Sequence, residues 1–207
     1  MKALGLLGSL NFLLSLSALA MDPPTGFDPD TLARVMKGEI VVKELVNTKV
    51  EFREVARAYF NKVSTEAYHQ LATNHKKYPS MFSEVKDAKT LKVDDKRTMY
   101  DYWLHLVIQY GPYTIPVYPE GTQVVTPAKD PTSEAYVRNV ITNYTDTLDF
   151  AVQKTRLIPY QTGILVEEDI HVKVKSEVTG GNIVKKELHK FYTRWVNTFR
   201  KELGGDH

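Results

Sequence analysis

The sequence predicts an α+β fold in which an antiparallel sheet, dry on one face and wet on the other, packs against a long helix near the C-terminus. Three observations carry this. From about residue 85 to 175 the chain runs in short segments of alternating apolar and polar residues, separated by turn signals. From Gly180-Gly181-Asn182 to about Leu203 the apolar residues instead recur at helical spacing. Val184, Leu188, Phe191, Tyr192, Trp195, Val196, Phe199 and Leu203 form that wide stripe. The turns set registers that gather the apolar residues of neighbouring strands on a common face.

Taken in order, the chain opens with the pattern of an export signal. Lys2 gives the positive start, Ala3 to Leu16 is apolar or small, and Ala18-Leu19-Ala20 is a small-x-small cleavage site. The apolar run is shorter than the roughly 20 residues a spanning helix needs. Pro23 and Pro24 stop it; an uncleaved anchor is the other reading. The expected layout is a signal peptide over 1–20, a lead-in over 21–27, one domain over 28–203 and a tail over 204–207. The expected compartment is the bacterial periplasm, with secretion as the alternative. In a eukaryotic secretory pathway, Asn143-Tyr144-Thr145 would be a glycosylation sequon.

Asp28 caps a short helix that has Pro29 in its first turn and ends at Gly38, with Leu32, Val35 and Met36 as its apolar stripe. Glu39 to Phe60 reads as one strand-like stretch. Within it Val50, Phe52, Ala56, Ala58 and Phe60 share a parity, and Glu54 is the polar exception. A helix is expected from Ser64 or Thr65 to about His75, then a short helical turn over Pro79 to Phe82. Strands are expected at about 85–92, 98–110, 113–125, 134–142, 147–158 and 163–175, which makes about seven in all. A two-residue loop at Gly111-Pro112 pairs Tyr110 with Tyr113 and Ile108 with Ile115. One face then holds Leu104, Leu106, Ile108, Ile115 and Val117, and the other holds Trp103, His105, Val107, Gln109 and Thr114. Across the next turn Val137 and Ile141 match Leu148, Phe150 and Val152. In the last strand Ile164, Val166, Ile170, Val172 and Val174 oppose Glu167, Asp169, His171 and Lys173.

Composition removes several chemistries. The chain has no Cys, which rules out disulfides, thiol nucleophiles and thiolate metal sites. A formal charge of +2 gives no electrostatic footprint for nucleic acid. The six histidines, at 69, 75, 105, 171, 189 and 207, include no pair at i, i+4, so no metal site is expected. No nucleophile elbow or phosphate loop is present. Lys185, Lys186 and Lys190 read as a solvated helix face, or as a weak contact with a membrane surface.

Charged and amide residues on the dry face are the candidates for chemistry. With a three-residue loop over Tyr160 to Thr162, Lys154 falls opposite Glu168, and Arg156, Asn139 and Glu54 join them on that face. A charge in a dry core costs several kcal/mol unless it is paired. Such residues either anchor a ligand head group or escape to water at a strand end or bulge. Tyr102, Tyr110, Tyr113, Phe191, Trp195 and Phe199 line either a cavity or a plain core.

The element order, together with Leu32-Ala33-Arg34 leading to Lys37-Gly38-Glu39-Ile40-Val41-Val42, the Thr65-to-Phe82 segment and Val85-Lys86-Asp87-Ala88, resembles the START-like or SRPBCC superfamily. The likeness is to its bacterial secreted members of the polyketide cyclase/dehydrase type and covers about residues 28–203. It implies a helix-grip fold, a curved sheet wrapped around the C-terminal helix with a cavity between them. It also implies a hydrophobic ligand such as a lipid, a sterol-like or a polycyclic molecule, with no cofactor and no universal catalytic residue. The expected cavity residues are Tyr102, Leu104, Leu106, Ile108, Tyr113, Asn139, Phe150, Lys154, Arg156, Glu168, Phe191, Trp195 and Phe199. The expectation is therefore a monomeric carrier or sensor. The alternatives are a cyclase/dehydrase-type enzyme using Glu168 with Lys154 or Arg156, or an interaction module with a filled core.

Overall fold

Short-range chemistry places the first elements in the computed structural model, which describes residues 23–110, 112–143, 148–175 and 181–205. The export segment therefore lies outside the described residues, as do residues 144–147 of the sequon turn and the tail residues Asp206 and His207. Asp28 accepts from the Thr31 amide at 2.9 Å and caps α1 (Pro29–Met36), which Gly38 terminates at φ +92°. Ser64 accepts from the Ala67 amide at 3.1 Å and caps α2 (Thr65–Ala72). A 3-10 turn over His75–Lys77 and the short α3 (Tyr78–Met81) follow, so α2 stops short of His75.

Among the described residues nine strands form one antiparallel sheet: β1 (Val41–Asn47), β2 (Glu51–Phe60), β3 (Val85–Val93), β4 (Met99–Tyr110), β5 (Tyr113–Val117), β6 (Glu120–Thr126), β7 (Ala135–Ile141), β8 (Leu148–Tyr160) and β9 (Gly163–Val174). The order is β1-β2-β9-β8-β7-β6-β4-β3, and β5 adds to the far half of β4. The sheet curls strongly, and α4 (Gly181–Leu203) lies in its concave side. Two expected strands each divide in two. Thr48 turns the chain between β1 and β2, its hydroxyl accepting from the Glu51 amide at 2.9 Å. The break between Val117 and Glu120 lets β4 pair first with β6 and then with β5.

The concave face follows the expected parity on β2 and β9. Phe52, Ala56, Ala58 and Phe60 are buried there with Ile164, Val166, Ile170, Val172 and Val174. Ala58, Phe60, Ile164 and Val166 pack with Tyr68, Tyr78, Phe82, Trp195, Val196 and Phe199 into the main core, and Ala56, Ile170 and Val172 pack with Tyr192. Trp195 stacks on Phe82 at 5.1 Å and on Phe199 at 4.3 Å. Full burial of a side chain such as Phe199 contributes about 1.5–3 kcal/mol. The side chains of Val184 and Leu188 lie outside the described residues.

The convex face is not uniformly wet, contrary to expectation. α1 covers one end of it, where Phe27, Val35, Tyr59, Ile158, Tyr160 and Leu165 form a second core with Leu32 and Met36. Alternation hides this cover, because Tyr59 and Leu165 sit at positions that read as outward. Beyond α1 the convex face carries cross-strand ion pairs, Arg53–Asp169 at 2.7 Å and Arg57–Glu167 at 2.7 Å. His171 also lies there, on Glu51 at 2.7 Å, and His105 stacks on Tyr118 at 4.8 Å.

Arg200 ties α4 to the sheet. Its Nε and Nη2 donate to the Tyr59 carbonyl at 3.2 and 3.0 Å, and its Nη1 to the Gly38 carbonyl at 3.0 Å. Burial lowers its pKa to about 10, which leaves it charged at neutral pH.

Candidate binding site on the concave face

The β8–β9 turn decides which polar residues face inward. Tyr160 pairs with Gly163, so the loop is two residues, Gln161 and Thr162, with Gln161 at φ +50°. That register is one residue away from the three-residue reading. It sets Thr155, not Lys154, opposite Glu168, and Lys154 opposite Asp169. Lys154 is accordingly exposed on the convex face. Arg156 lies there too, where its Nε donates to Glu134 at 2.8 Å and its Nη1 to the Thr25 carbonyl at 2.6 Å. Neither faces the concave interior, because a one-residue slip turns every side chain over.

Phe150 is displaced for a related reason. A bulge between Leu148 and Phe150 reverses the parity of β8, so Leu148 stays with the inner core while Phe150 packs edge-on against His171 outside. Past the bulge, Ala151, Gln153, Thr155 and Leu157 face inward and Val152 faces out. Their partners are Val172 for Ala151, Asn139 and Ile170 for Gln153, and Val137 for Thr155.

The corrected register assembles a polar wall. Gln123, Asn139, Gln153, Ile170 and Glu54 form one cross-strand row over β6, β7, β8, β9 and β2. The next row holds Thr155 and Glu168. Glu168 is 1% exposed. It accepts from Tyr68 Oη at 2.8 Å, Gln153 Nε2 at 2.7 Å and Thr155 Oγ1 at 2.9 Å. Asn139 Nδ2 in turn donates to Gln153 Oε1 at 3.1 Å, and Trp195 Nε1 to Tyr68 Oη at 3.3 Å. Burial pushes the Glu168 pKa up to about 7, and the three donors restrain the rise. Desolvation, with the Glu168 charge beside it, holds Tyr68 well above the usual phenol range.

A second polar group lies next to the wall. His75, 2% exposed, stacks on Tyr102 at 4.8 Å, with Nδ1 3.0 Å from Thr90 Oγ1. Burial lowers its pKa to about 4, opposed by the neighbouring Gln123 amide. Gln123 Nε2 donates to the Ala72 carbonyl at 3.2 Å. Its Oε1 is buried near His75 without a hydrogen bond of good geometry. Thr155, Gln153, Tyr68, Gln123 and His75 were not expected site residues. Of the expected inward polar residues, Glu54, Asn139 and Glu168 pointed to this wall, and the correct loop length would have added Gln153 and Thr155.

Apolar surface adjoins the polar wall. Leu104, Leu106 and Ile108 on β4, Ile141 on β7 and Ala151 on β8 are only partly buried, as is Phe191 on α4. Tyr102, Trp195 and Phe199 are buried beside them. The Tyr113 side chain lies outside the described residues, although its backbone pairs with Tyr110 as expected. Thus β2, β9 and the near ends of β7 and β8 are closed over by α2, α3 and α4, while inner positions of β4, β7 and β8 keep exposed apolar area. A separate cleft of about 340 Å³, lined by Met36, Lys37, Tyr59, Asn61, Gln161 and Thr162, lies beside the β8–β9 turn. Among the described residues no three His, Asp or Glu side chains converge as a metal site, and no helix is long and apolar enough to cross a membrane.

No family sequence model matches the chain, and no curated protein matches it by sequence. Solved structures do match. A START superfamily protein from Mycobacterium smegmatis aligns at a TM-score of 0.54 and 15% identity, over 75% of this chain and 97% of its own. A STAR-related lipid transfer protein from Xanthomonas axonopodis aligns at 0.52 and 12%, over 78% and 98%. The Zhui aromatase/cyclase from Streptomyces sp. R1128 aligns at 0.58 and 7%, over 74% and 94%. At these identities the likeness shows the fold alone, and the chain has the START-like (SRPBCC) helix-grip fold.

Proposed function

We propose that this protein binds a hydrophobic small molecule between the concave sheet and α4. One observation carries the reading: partly buried apolar side chains on β4, β7 and β8 adjoin a buried polar wall centred on Glu168. An apolar trough with a few convergent polar groups is the usual make-up of a small-molecule site. Apolar burial would supply affinity, at roughly 25 cal/mol per Å² before the costs of ordering. Similarity to a lipid transfer protein and an aromatase/cyclase supports the same chemical class of ligand. The export pattern at the N-terminus supports a carrier or sensor outside the cytoplasm.

Native mass spectrometry of protein purified from its own compartment, followed by solvent extraction, tests this. About one lipid-like or polycyclic molecule per chain is the expected result. A bare protein mass, together with failure to bind any apolar probe, would leave a filled-core interaction module.

A cyclase/dehydrase-type activity is the second reading. It is favoured by Glu168, whose pKa near 7 suits an acid or base at neutral pH. Glu168→Gln separates the two readings: an enzyme loses turnover and keeps binding, whereas a carrier has no turnover to lose.

A further inference from the structure

Charge is sorted by face in this sheet. Among the described residues of β2, β6, β7, β8 and β9, the basic side chains Arg53, Arg57, Arg138, Lys154, Arg156 and Lys173 all alternate onto the convex side. The concave side of the same strands carries two carboxyl groups, Glu54 and Glu168, and the amides of Gln123, Asn139 and Gln153. The buried cation near this face, Arg200, donates to the Tyr59 and Gly38 carbonyls. His75 is held neutral by burial.

The hydrogen bonds have a direction as well. An ionised Glu168 can only accept, so Gln153 must present Nε2 to it and turn Oε1 towards Asn139. Asn139 must then donate through Nδ2, which leaves its Oδ1 as the acceptor at the partly exposed end of the relay. The Tyr68 and Thr155 hydroxyls also donate to Glu168, and Gln123 Nε2 donates to Ala72. Each of these groups spends a donor within the wall, and the Asn139 Oδ1 acceptor remains at its partly exposed end.

From this polarity, and resting on the binding reading above, we infer that the site selects ligands whose apolar body carries a hydrogen-bond donor, a hydroxyl or amino group, and rejects carboxylates and phosphates. A carboxylate here would bring a further anion beside Glu168 into a poorly hydrated wall, on strands whose described basic side chains all lie on the other face. A hydroxyl or amine meets acceptors that are already in place.

The test is displacement of neutral Nile red by 1-dodecanol, dodecylamine and dodecanoate at about pH 8, where Glu168 is ionised. The alcohol and the amine separate the hydroxyl and cation forms of the donor. Each is expected to displace the dye at a concentration at least about tenfold below that needed for dodecanoate, a gap of about 1.4 kcal/mol. In Glu168→Gln the dodecanoate gap should shrink to within about threefold. Lys154→Ala, on the exposed convex face, should preserve it. Dodecanoate binding as well as the alcohol overturns the inference and leaves the binding reading intact. Failure of the dye and of every chain to bind overturns the binding reading, and this inference with it.

Discussion

The Tyr68 hydroxyl donates to Glu168 at 2.8 Å, joining α2 to β9 across 100 residues of chain. The bond makes the first helix of the inner layer a partner of the sheet's most buried carboxyl group. It also couples that carboxyl to α4, because Trp195 donates to the same phenol oxygen.

Tyr68→Phe should cost about 1–3 kcal/mol, since it removes a buried donor to a carboxylate and leaves Trp195 Nε1 without its acceptor. It should also raise the Glu168 pKa further, because Tyr68 is one of the groups that lower it. Denaturant melts and a carbon-13 titration of the Glu168 carboxyl check both. An unchanged titration would mean that Tyr68 does not hold the carboxylate.

Lys154 and Thr155 test the β8–β9 register. Lys154→Ala should change stability by less than about 0.5 kcal/mol, as an exposed convex residue should. Thr155→Val should cost about 1 kcal/mol or more through the lost hydrogen bond to Glu168. Urea melts of the two variants decide it, and the reverse ranking would restore the three-residue loop.

Stability against pH contains two opposed contributions. Glu168 has a folded pKa near 7 against an ordinary value of 4.5, so its contribution is full below about 4.5 and is lost as pH rises to about 7. His75 has a folded pKa near 4 against 6.5, so its contribution is full above about 6.5 and is lost as pH falls towards 4. In the native chain the two slopes oppose each other. Glu168→Gln should expose a stability that rises with pH over this window, and His75→Gln one that falls. Thermal melts between about pH 4 and pH 8 would show it, and parallel curves for both variants would refute the pairing.

Gly163→Ala should be among the costly small substitutions, at more than about 2 kcal/mol. An added Cβ would sit 2.0 Å from the Phe60 carbonyl oxygen and 3.0 Å from the Lys62 amide, so backbone must move. Circular dichroism melts check this, and a neutral result would place the β8–β9 turn farther from β2.

By itself the sequence determined the fold class, the long helix, the cap at Asp28, the Tyr110–Tyr113 hairpin and the inner faces of β2 and β9. Each rests on a local rule: a cap on one side chain, a face on period-two alternation, a helix on a wide stripe. Tertiary structure decided what local rules leave degenerate. Two or three residues both make an acceptable β8–β9 loop, and the choice turned Lys154 and Arg156 outward and Thr155 inward. One extra residue after Leu148 moved Phe150 to the convex face, where His171 receives it. Cover for Tyr59 and Leu165 came from α1, distant in sequence. The wall of Gln123, Asn139, Gln153, Thr155, Glu168 and Tyr68 exists only once five segments are in register, because each hydrogen bond in it joins residues whose spacing along the chain says nothing of their distance in space.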